Sequence, residues 1–352
     1  MTTPGFHRLR IASLRHDTAD SVVLGFAVPA ELRAAFRFTP GQFVTLRAMI
    51  DGRACRRSYS ICSDPEAAEV QVGIRHLPGG RFSGFAATAL KVGDTLEVMP
   101  PDGRFGLAPE PGARRNLLFC AAGAGITPSL SILRATLARE SGRCTLLYAN
   151  RTRAAIMFRE EIDALKDRYL DRFALVHLLS RETVEGALAG RLDGPTLARL
   201  CAGPAAGPVD HAFLCGPEGF AAALAPALAA LGGQLHQERF VPAEDAAART
   251  AAAPAETDAP AAWAEVTYQG VRTRIPLAAG ENIIAAGERA GLELPHACRG
   301  GMCCTCRAML TAGKVSMATN YSLEPWEIAA GYVLTCQASA ASAELAVDYD
   351  RM

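Results

Sequence analysis

Five of the eleven cysteines, Cys298, Cys303, Cys304, Cys306 and Cys336, crowd into the last fifth of this 352-residue chain. Four of them run Cys298-x4-Cys303-x2-Cys306 and then Cys336, the plant-type spacing for a [2Fe–2S] cluster. Four thiolates are needed because each iron completes its tetrahedron with two protein sulfurs. Gly300 and Gly301 suit a loop that must bring backbone N–H groups close to sulfur with no Cβ in the way. Zinc is the competing chemistry, but its ligands typically come as two close pairs, a spacing absent here. Cys304 reads as a thiol between ligands that does not itself ligate, and His296 as a packing residue.

Two glycine-bearing segments offer anion sites. Gly123-Ala-Gly125-Ile-Thr127-Pro128 follows the apolar run Asn116–Ala121 and opens a helix. Thr127 is expected to cap that helix and Pro128 to sit in its first turn. The glycines would let a pyrophosphate approach the helix N-terminus, where free N–H groups and the dipole favour negative charge. Pro128 stands where the full dinucleotide fingerprint has its third glycine. Earlier, Arg57-Ser58-Tyr59-Ser60 lies on a strand and is followed by Arg75 and Gly79-Gly80-Arg81-Phe82-Ser83. An arginine can grip a pyrophosphate and a tyrosine face can stack on a flavin. Each piece alone also fits an ordinary strand or turn; their order, ahead of a nucleotide fold and a cluster motif, makes them support one another.

The elements that must position these residues change character near Pro109. Before it come β-rich runs, His7–Arg15, Ser21–Ala27, Gln42–Leu46, Arg57–Ile61, Val70–Arg75 and Thr95–Val98, with one helical stretch, Ser83–Leu90. That pattern predicts a small antiparallel barrel. After it, strand and helix alternate through Asn116–Ala121, Pro128–Glu140, Cys144–Asn150, Phe158–Tyr169, Phe173–Leu179, His211–Cys215 and Phe220–Leu231, which predicts a doubly wound parallel sheet. Residues 243–262 (AEDAAARTAAAPAETDAPAA) have no large apolar side chain and read as a linker. The expected division is therefore 1–108, 109–242, the linker 243–262, and 263–352.

Composition bounds the rest. Half the residues are hydrophobic, which excludes a disordered chain. The 36 basic and 36 acidic residues cancel, which argues against a dedicated binder of nucleic acid or anionic membrane. The start MTTPGFHRLR has no apolar core of a signal peptide, and no run reads as a membrane span. An odd cysteine count in a chain this large points to a reducing compartment, so a cytoplasmic protein is expected.

Together these segments resemble the ferredoxin–NADP reductase superfamily, in the group with a C-terminal plant-type ferredoxin domain, over nearly the whole chain. GIRHLPGGRFSGFA, GDTLEVMPPDGRFG, GAGITPSLSIL, IMFREE, CRGGMCCTCRA and NYSLEPWEIAAGYVLTCQA carry the likeness. The resemblance implies an FAD-binding barrel, an NADP-binding α/β domain and an α+β, β-grasp-like ferredoxin domain. It implies that Arg57, Ser58, Tyr59, Ser60, Arg75, Gly80, Arg81, Phe82 and Ser83 hold FAD, with Phe240 as the ring that stacks on it. Gly123, Gly125, Thr127 and Pro128 would receive the NADPH pyrophosphate. Cys215-Gly216-Pro217 would line the nicotinamide side, with Cys215, Ser60 and Glu238 at the reacting centre. Ser180 and Arg181, with Arg191, would read the 2′-phosphate, as charged donors can; NADH stays open as the alternative donor. The implied activity is electron transfer from NADPH through FAD to [2Fe–2S] and on to a di-iron oxygenase component. A Rieske-type or other hydroxylase is the alternative acceptor, and a redox-sensing module with no oxygenase partner is the alternative from another class.

Overall fold

A computed structural model of the chain describes residues 5–202, 207–240 and 260–351. The first six strands are β1 (His7–Thr18), β2 (Ser21–Ala27), β3 (Phe43–Ile50), β4 (Arg53–Ser60), β5 (Glu69–Arg75) and β6 (Thr95–Val98). They pair antiparallel in the order β4-β3-β6-β1-β2-β5. The two ends meet through the Ile61–Val72 bridge and the Cys62 N–H donating to the Gln71 carbonyl at 2.9 Å, so the sheet closes as the expected barrel. Inward positions are apolar: Leu9, Ile11, Leu24, Phe26, Val44, Leu46 and Val72 are all fully buried. One helix, α1 (Arg81–Thr88), joins this core through Phe82 and Ala86.

The next sheet is parallel throughout. Its strands are β7 (Leu117–Ala122), β8 (Cys144–Asn150), β9 (Phe173–Leu179), β10 (Ala187–Ala189), β11 (His211–Gly216) and β12 (Gln234–Arg239), in the order β10-β9-β8-β7-β11-β12. Helices α2 (Ile126–Arg139), α3 (Arg159–Arg168), α4 (Gly194–Cys201) and α5 (Glu218–Ala229) connect them. Strand order reverses between β7 and β11, and ligands of open parallel sheets bind at the carboxyl ends of strands beside such a reversal. The sequence did not signal β10, α4 or β12. β10 has three residues, and β12 is an edge strand of sequence QLHQER, too polar to show an apolar run.

Barrel and parallel sheet share one unit, Phe6–Phe240. Within it Ser131 donates to the Ser63 carbonyl at 2.7 Å, Arg134 to the Cys62 carbonyl at 3.0 Å, and Arg139 reaches both oxygens of Asp64 at 2.7 and 2.8 Å. The face of α2 turned to the barrel is thus stapled by hydrogen bonds as well as by buried Ile132 and Leu133.

The C-terminal unit has its own core. A mixed sheet of β13 (Ala262–Tyr268), β14 (Val271–Leu277), β15 (Arg307–Ala312), β17 (Tyr332–Leu334) and β19 (Glu344–Asp348) runs β14-β13-β19-β15-β17. A small pair, β16 (Val315–Met317) and β18 (Ala338–Ala340), and two helices, α6 (Ile283–Arg289) and α7 (Pro325–Ala329), complete it. Of the stretch expected as a linker, residues 243–259 lie outside the described residues. Its end is sheet: Ala261 N–H donates to the Leu277 carbonyl at 2.9 Å, and Ala262 pairs with Leu277.

Candidate active site

Three segments bring Ser60, Cys215 and Glu238 together. Ser60 ends β4 of the barrel; Cys215 lies near the end of β11; and the β11–β12 register sets Glu238 directly beside Cys215. The Ser60 hydroxyl donates to Glu238 Oε2 at 3.3 Å, and the Cys215 thiol sulfur lies 4.0 Å from the same oxygen. Burial raises the Glu238 carboxyl to about 7, partly offset by the Ser60 hydrogen bond. Burial, with the Glu238 charge beside it, pushes the Cys215 thiol well above its ordinary value. Cys215 is therefore a neutral, polarisable contact group at physiological pH, and Glu238 is poised to hold or release a proton. Phe240, two residues on, is half-buried against the same core.

The glycine loop abuts this cluster. Gly123–Gly125 form one 3-10 turn between β7 and α2. A Cβ at Gly125 would stand 2.2 Å from the Cys215 carbonyl oxygen and 2.9 Å from Gly216 N, so glycine there lets the two loops touch. Gly216 is as constrained, its Cβ position lying 2.8 Å from Phe220. Pro217 precedes α5 as its N-cap residue. The expectation for Thr127 is corrected: the N-cap of α2 is Gly125, and Thr127 is inside the first turn, its hydroxyl donating back to the Ala124 carbonyl at 2.9 Å. Starting the helix early leaves Pro128 in the first turn, as expected.

Arg75, expected on the flavin side, also reaches this loop. Its guanidinium holds Asp20 at 2.8 and 3.0 Å, and a Cβ on Gly123 would lie 2.9 Å from its Nη1. Tyr148 fixes the loop from below, its hydroxyl donating to the Gly123 carbonyl at 2.9 Å. Neither Asp20 nor Tyr148 stood out in the sequence: Tyr148 reads there as one more apolar strand position, and the pairing of Asp20 with Arg75 spans 55 residues.

On the barrel side, Tyr59 packs against Phe82 with ring centroids 5.6 Å apart, and Thr45 and Ser58 hydroxyls lie 3.1 Å apart. The Arg57 guanidinium bonds the Arg56 carbonyl at 2.7 Å. The first bond of α1 runs from Gly84 N–H to the Gly80 carbonyl, so the amides of Arg81, Phe82 and Ser83 face outward from the helix start. A Cβ on Gly80 would sit 2.5 Å from Ser83 Oγ, which itself bonds Leu77 N–H and the Gly80 carbonyl at 3.2 Å. This cradle fits a phosphate at the backbone. The Phe82 ring, however, is 1 % exposed and belongs to the barrel core, so only its amide can meet a ligand.

Ser180 and Arg181 follow β9, their amides donating to the Asn150 and Arg151 carbonyls at 3.0 and 2.9 Å. Arg191 follows β10, where Gly190 N–H holds the Leu179 carbonyl at 2.8 Å. All three side chains are exposed at the carboxyl edge of the sheet.

In the C-terminal unit the four spaced cysteines gather as two couples, Cys298 with Cys303 and Cys306 with Cys336, each couple within electrostatic reach of the other. Among the described residues no three metal-ligating side chains converge on one ion. Two neighbouring thiol couples are instead what a two-iron cluster requires. Within each couple one thiol is favoured as thiolate: the Cys303 thiol and the amides of Gly300 and Met302 draw Cys298 below its ordinary value, and the Cys306 thiol, the Gly301 amide and Gln337 do so for Cys336, while the neighbouring sulfur and burial push Cys303 and Cys306 well above theirs. Donors aimed at sulfur favour thiolate and fit a bound cluster. The loop achieves this with left-handed backbone at Arg299, Gly301 and Cys304. Behind it, Tyr349 donates to Thr335, which donates to the Cys306 carbonyl, both at 2.7 Å. His296 is buried, with Nδ1 3.0 Å from the Leu294 carbonyl and Nε2 2.9 Å from Arg299.

Three family descriptions match in turn: an oxidoreductase FAD-binding domain over residues 9–106, an oxidoreductase NAD-binding domain over 119–225, and a 2Fe-2S iron-sulfur cluster binding domain over 266–341. The chain is 42% identical over 357 residues to a component of the 1,2-phenylacetyl-CoA epoxidase of Escherichia coli (strain K12), covering 99% of both chains. It belongs to the ferredoxin–NADP reductase superfamily, in the group with a C-terminal plant-type ferredoxin domain. This reductase is also 33% identical to the ferredoxin reductase component of 3-ketosteroid-9-alpha-monooxygenase from Rhodococcus rhodochrous, over 97% of this chain and 96% of that one. Its fold matches phthalate dioxygenase reductase with a TM-score of 0.58 at 23% identity, covering 98% of each chain. The reductase is thus an NAD(P)H-dependent flavin and iron–sulfur oxidoreductase, with FAD, NAD(P)H and [2Fe–2S] as its cofactors. No helix of the described residues is long and apolar enough to cross a membrane.

Proposed function

We propose that this reductase takes hydride from NADPH and passes electrons to the di-iron oxygenase component of a phenylacetyl-CoA epoxidase. The observation that carries the hydride step is the meeting of Ser60 from the barrel with Cys215 and Glu238 from the parallel sheet. A flavin held on the barrel and a nicotinamide seated by the sheet would adjoin each other only at such a seam. Bound FAD supplies the conversion of an electron pair into single electrons that a [2Fe–2S] cluster can accept. The chain's residues then have distinct tasks. Arg57 and the amides of 81–83 hold the flavin's phosphates, and Tyr59 and Phe240 flank its ring. Gly123, Gly125 and Pro128 admit the nucleotide's pyrophosphate to the start of α2, with Thr127 bracing the turn and Arg75 adding positive charge. Cys215, Gly216 and Pro217 border the nicotinamide, and Ser60 and Glu238 manage the proton. Ser180, Arg181 and Arg191 read the 2′-phosphate, favouring NADPH over NADH. Cys298, Cys303, Cys306 and Cys336 bind the cluster.

The partner assignment is supported by the full-length likeness to the epoxidase component from Escherichia coli. It is tested by reconstitution: purified reductase, NADPH and the oxygenase component of a phenylacetyl-CoA epoxidase should give substrate-dependent NADPH oxidation and epoxide. Brisk NADPH-driven reduction of ferricyanide with no turnover of that oxygenase would transfer the assignment to another hydroxylase.

A further inference from the structure

Phe158 is buried, 1 % exposed, yet its backbone sits in the left-handed region with φ 56° and ψ 30°. A bulky side chain rarely adopts that conformation, and it persists only where the surroundings impose it. Here they do. The Phe158 N–H donates to Asp17 Oδ2 in β1 of the barrel at 2.8 Å, and its carbonyl accepts from Ile162 N–H at 2.9 Å. Asp17 in turn accepts from Arg15 at 2.7 Å, and Arg15 lies 5.6 Å from the Phe158 ring centroid and also pairs with Glu161.

The ring ends at Gly73 of β5. A Cβ there would stand 2.7 Å from Phe158 Cζ and 2.9 Å from Thr127 Cγ2. A barrel strand, the segment before α3 and the first turn of α2 thus converge at one point. Arg75 shares a face of β5 with Gly73, two residues on, and that face meets the glycine loop again at Gly123.

We infer that Phe158 is a positioning residue for the hydride step, a wedge that sets the first turn of α2 at a fixed distance from the flavin-bearing barrel. This rests on the reading of the α2 loop as the nucleotide site. The side chain acts through the junction at Gly73, where it and Thr127 meet the barrel strand. Misplacing a reacting group by about an ångström can cost roughly a hundredfold in rate, so a modest slip of this loop is enough to matter.

The test uses the full chain with FAD and cluster in three forms: Phe158→Ala, Phe158→Leu and Gly73→Ala. Gly73→Ala leaves Phe158 in place, and its Cβ meets the Phe158 ring and Thr127 Cγ2 together, so if Phe158→Ala fails to fold it still tests whether this junction holds the loop. Two readings are taken: hydrogen exchange at the amides of 123–127 without nucleotide, and the rate of flavin reduction by NADPH in stopped flow with deuterated and protiated nucleotide. Phe158→Ala and Gly73→Ala should keep their flavin content, exchange faster at 123–127, and slow the isotope-sensitive step about ten- to a hundredfold. Phe158→Leu should recover most of both. A lower melting temperature with unchanged exchange at 123–127 and an unchanged isotope-sensitive rate would mark Phe158 as ordinary core and overturn the inference. If NADPH reduces no flavin even in the unaltered protein, the functional reading fails, while the exchange measurement still decides whether Phe158 holds the loop.

Discussion

Cys215 and Glu238 are neighbours across a parallel strand pair, with the thiol sulfur 4.0 Å from a carboxylate oxygen that burial has made only weakly acidic. A carboxyl near 7 beside a neutral thiol can hold or release a proton near neutral pH. Its titration has a stability consequence as well. Glu238 titrates at about 7 in the folded chain and near its ordinary 4.5 once unfolded. Between those values the folded state keeps a proton that the unfolded chain has released, so this group makes stability fall as pH rises from about 4.5 to 7.

Glu238→Gln should therefore flatten that decline. The gap of about 2.5 pH units sets an upper bound of roughly 3 kcal/mol on what the variant regains at pH 8 relative to pH 4.5. Urea unfolding of the apoprotein at both pH values checks it. The same variant should lose any change in flavin-reduction rate between pH 6 and 8. If it loses stability at pH 8 as much as the unaltered chain does, Glu238 is not the group responsible.

At the cluster, Gly301 and Cys304 make opposite predictions. Gly301 has φ 75°, and a Cβ there would lie 2.9 Å from the Thr319 carbonyl oxygen. Gly301→Ala should thus strain the loop twice over and lower iron and acid-labile sulfide per chain. Cys304→Ser should keep two of each, since the spacing leaves Cys304 outside the ligand set. A Cys304→Ser protein without iron would mean that the ligands are misassigned.

The chemistry of this chain was legible where it depends on residue type at short range. Cys298 to Cys306 span nine positions, and their spacing with Cys336 is what pointed to the 2Fe-2S domain matched over residues 266–341. The barrel and the parallel sheet were legible from apolar periodicity, because most of their strands are buried on at least one face. What stayed hidden is contact over long separations. Nothing near Arg75 says that it reaches Gly123, because only the docking of the barrel on α2 brings them together. The polar edge strand β12 gave no strand signal, although its register is what places Glu238 beside Cys215. Thr127 looked like a cap because hydroxyl residues before an apolar run usually are. A glycine 3-10 turn can itself lead into a helix, and here it moves the helix start two residues earlier.

Arg181 bears on nucleotide choice. Its side chain is exposed at the carboxyl edge of the parallel sheet, its amide anchored to the Arg151 carbonyl, so removing the guanidinium should leave the backbone in place. One charged hydrogen bond is worth about 1.5–3 kcal/mol, or roughly ten- to a hundredfold. Arg181→Ala should raise KM for NADPH by that factor and barely change KM for NADH. Steady-state assays with both nucleotides check it, and equal effects on the two would show that Arg181 does not read the 2′-phosphate.

The last prediction concerns the route of electrons between the two units. Phe6–Phe240 and the C-terminal unit each have a separate buried core, and the stretch 243–262 has no large apolar side chain to join them. A chain ending at Phe240 should fold, bind FAD, oxidise NADPH and reduce ferricyanide, a small acceptor that can take electrons from flavin directly. It should reduce cytochrome c poorly and fail to drive the oxygenase, because Cys298, Cys303, Cys306 and Cys336 have gone with their cluster. Adding the separate C-terminal unit at high concentration should restore part of the activity, since covalent linkage mainly supplies effective concentration. A truncated chain that sustains the oxygenase at the full-length rate would show that electrons leave from the flavin and that the cluster lies off the path.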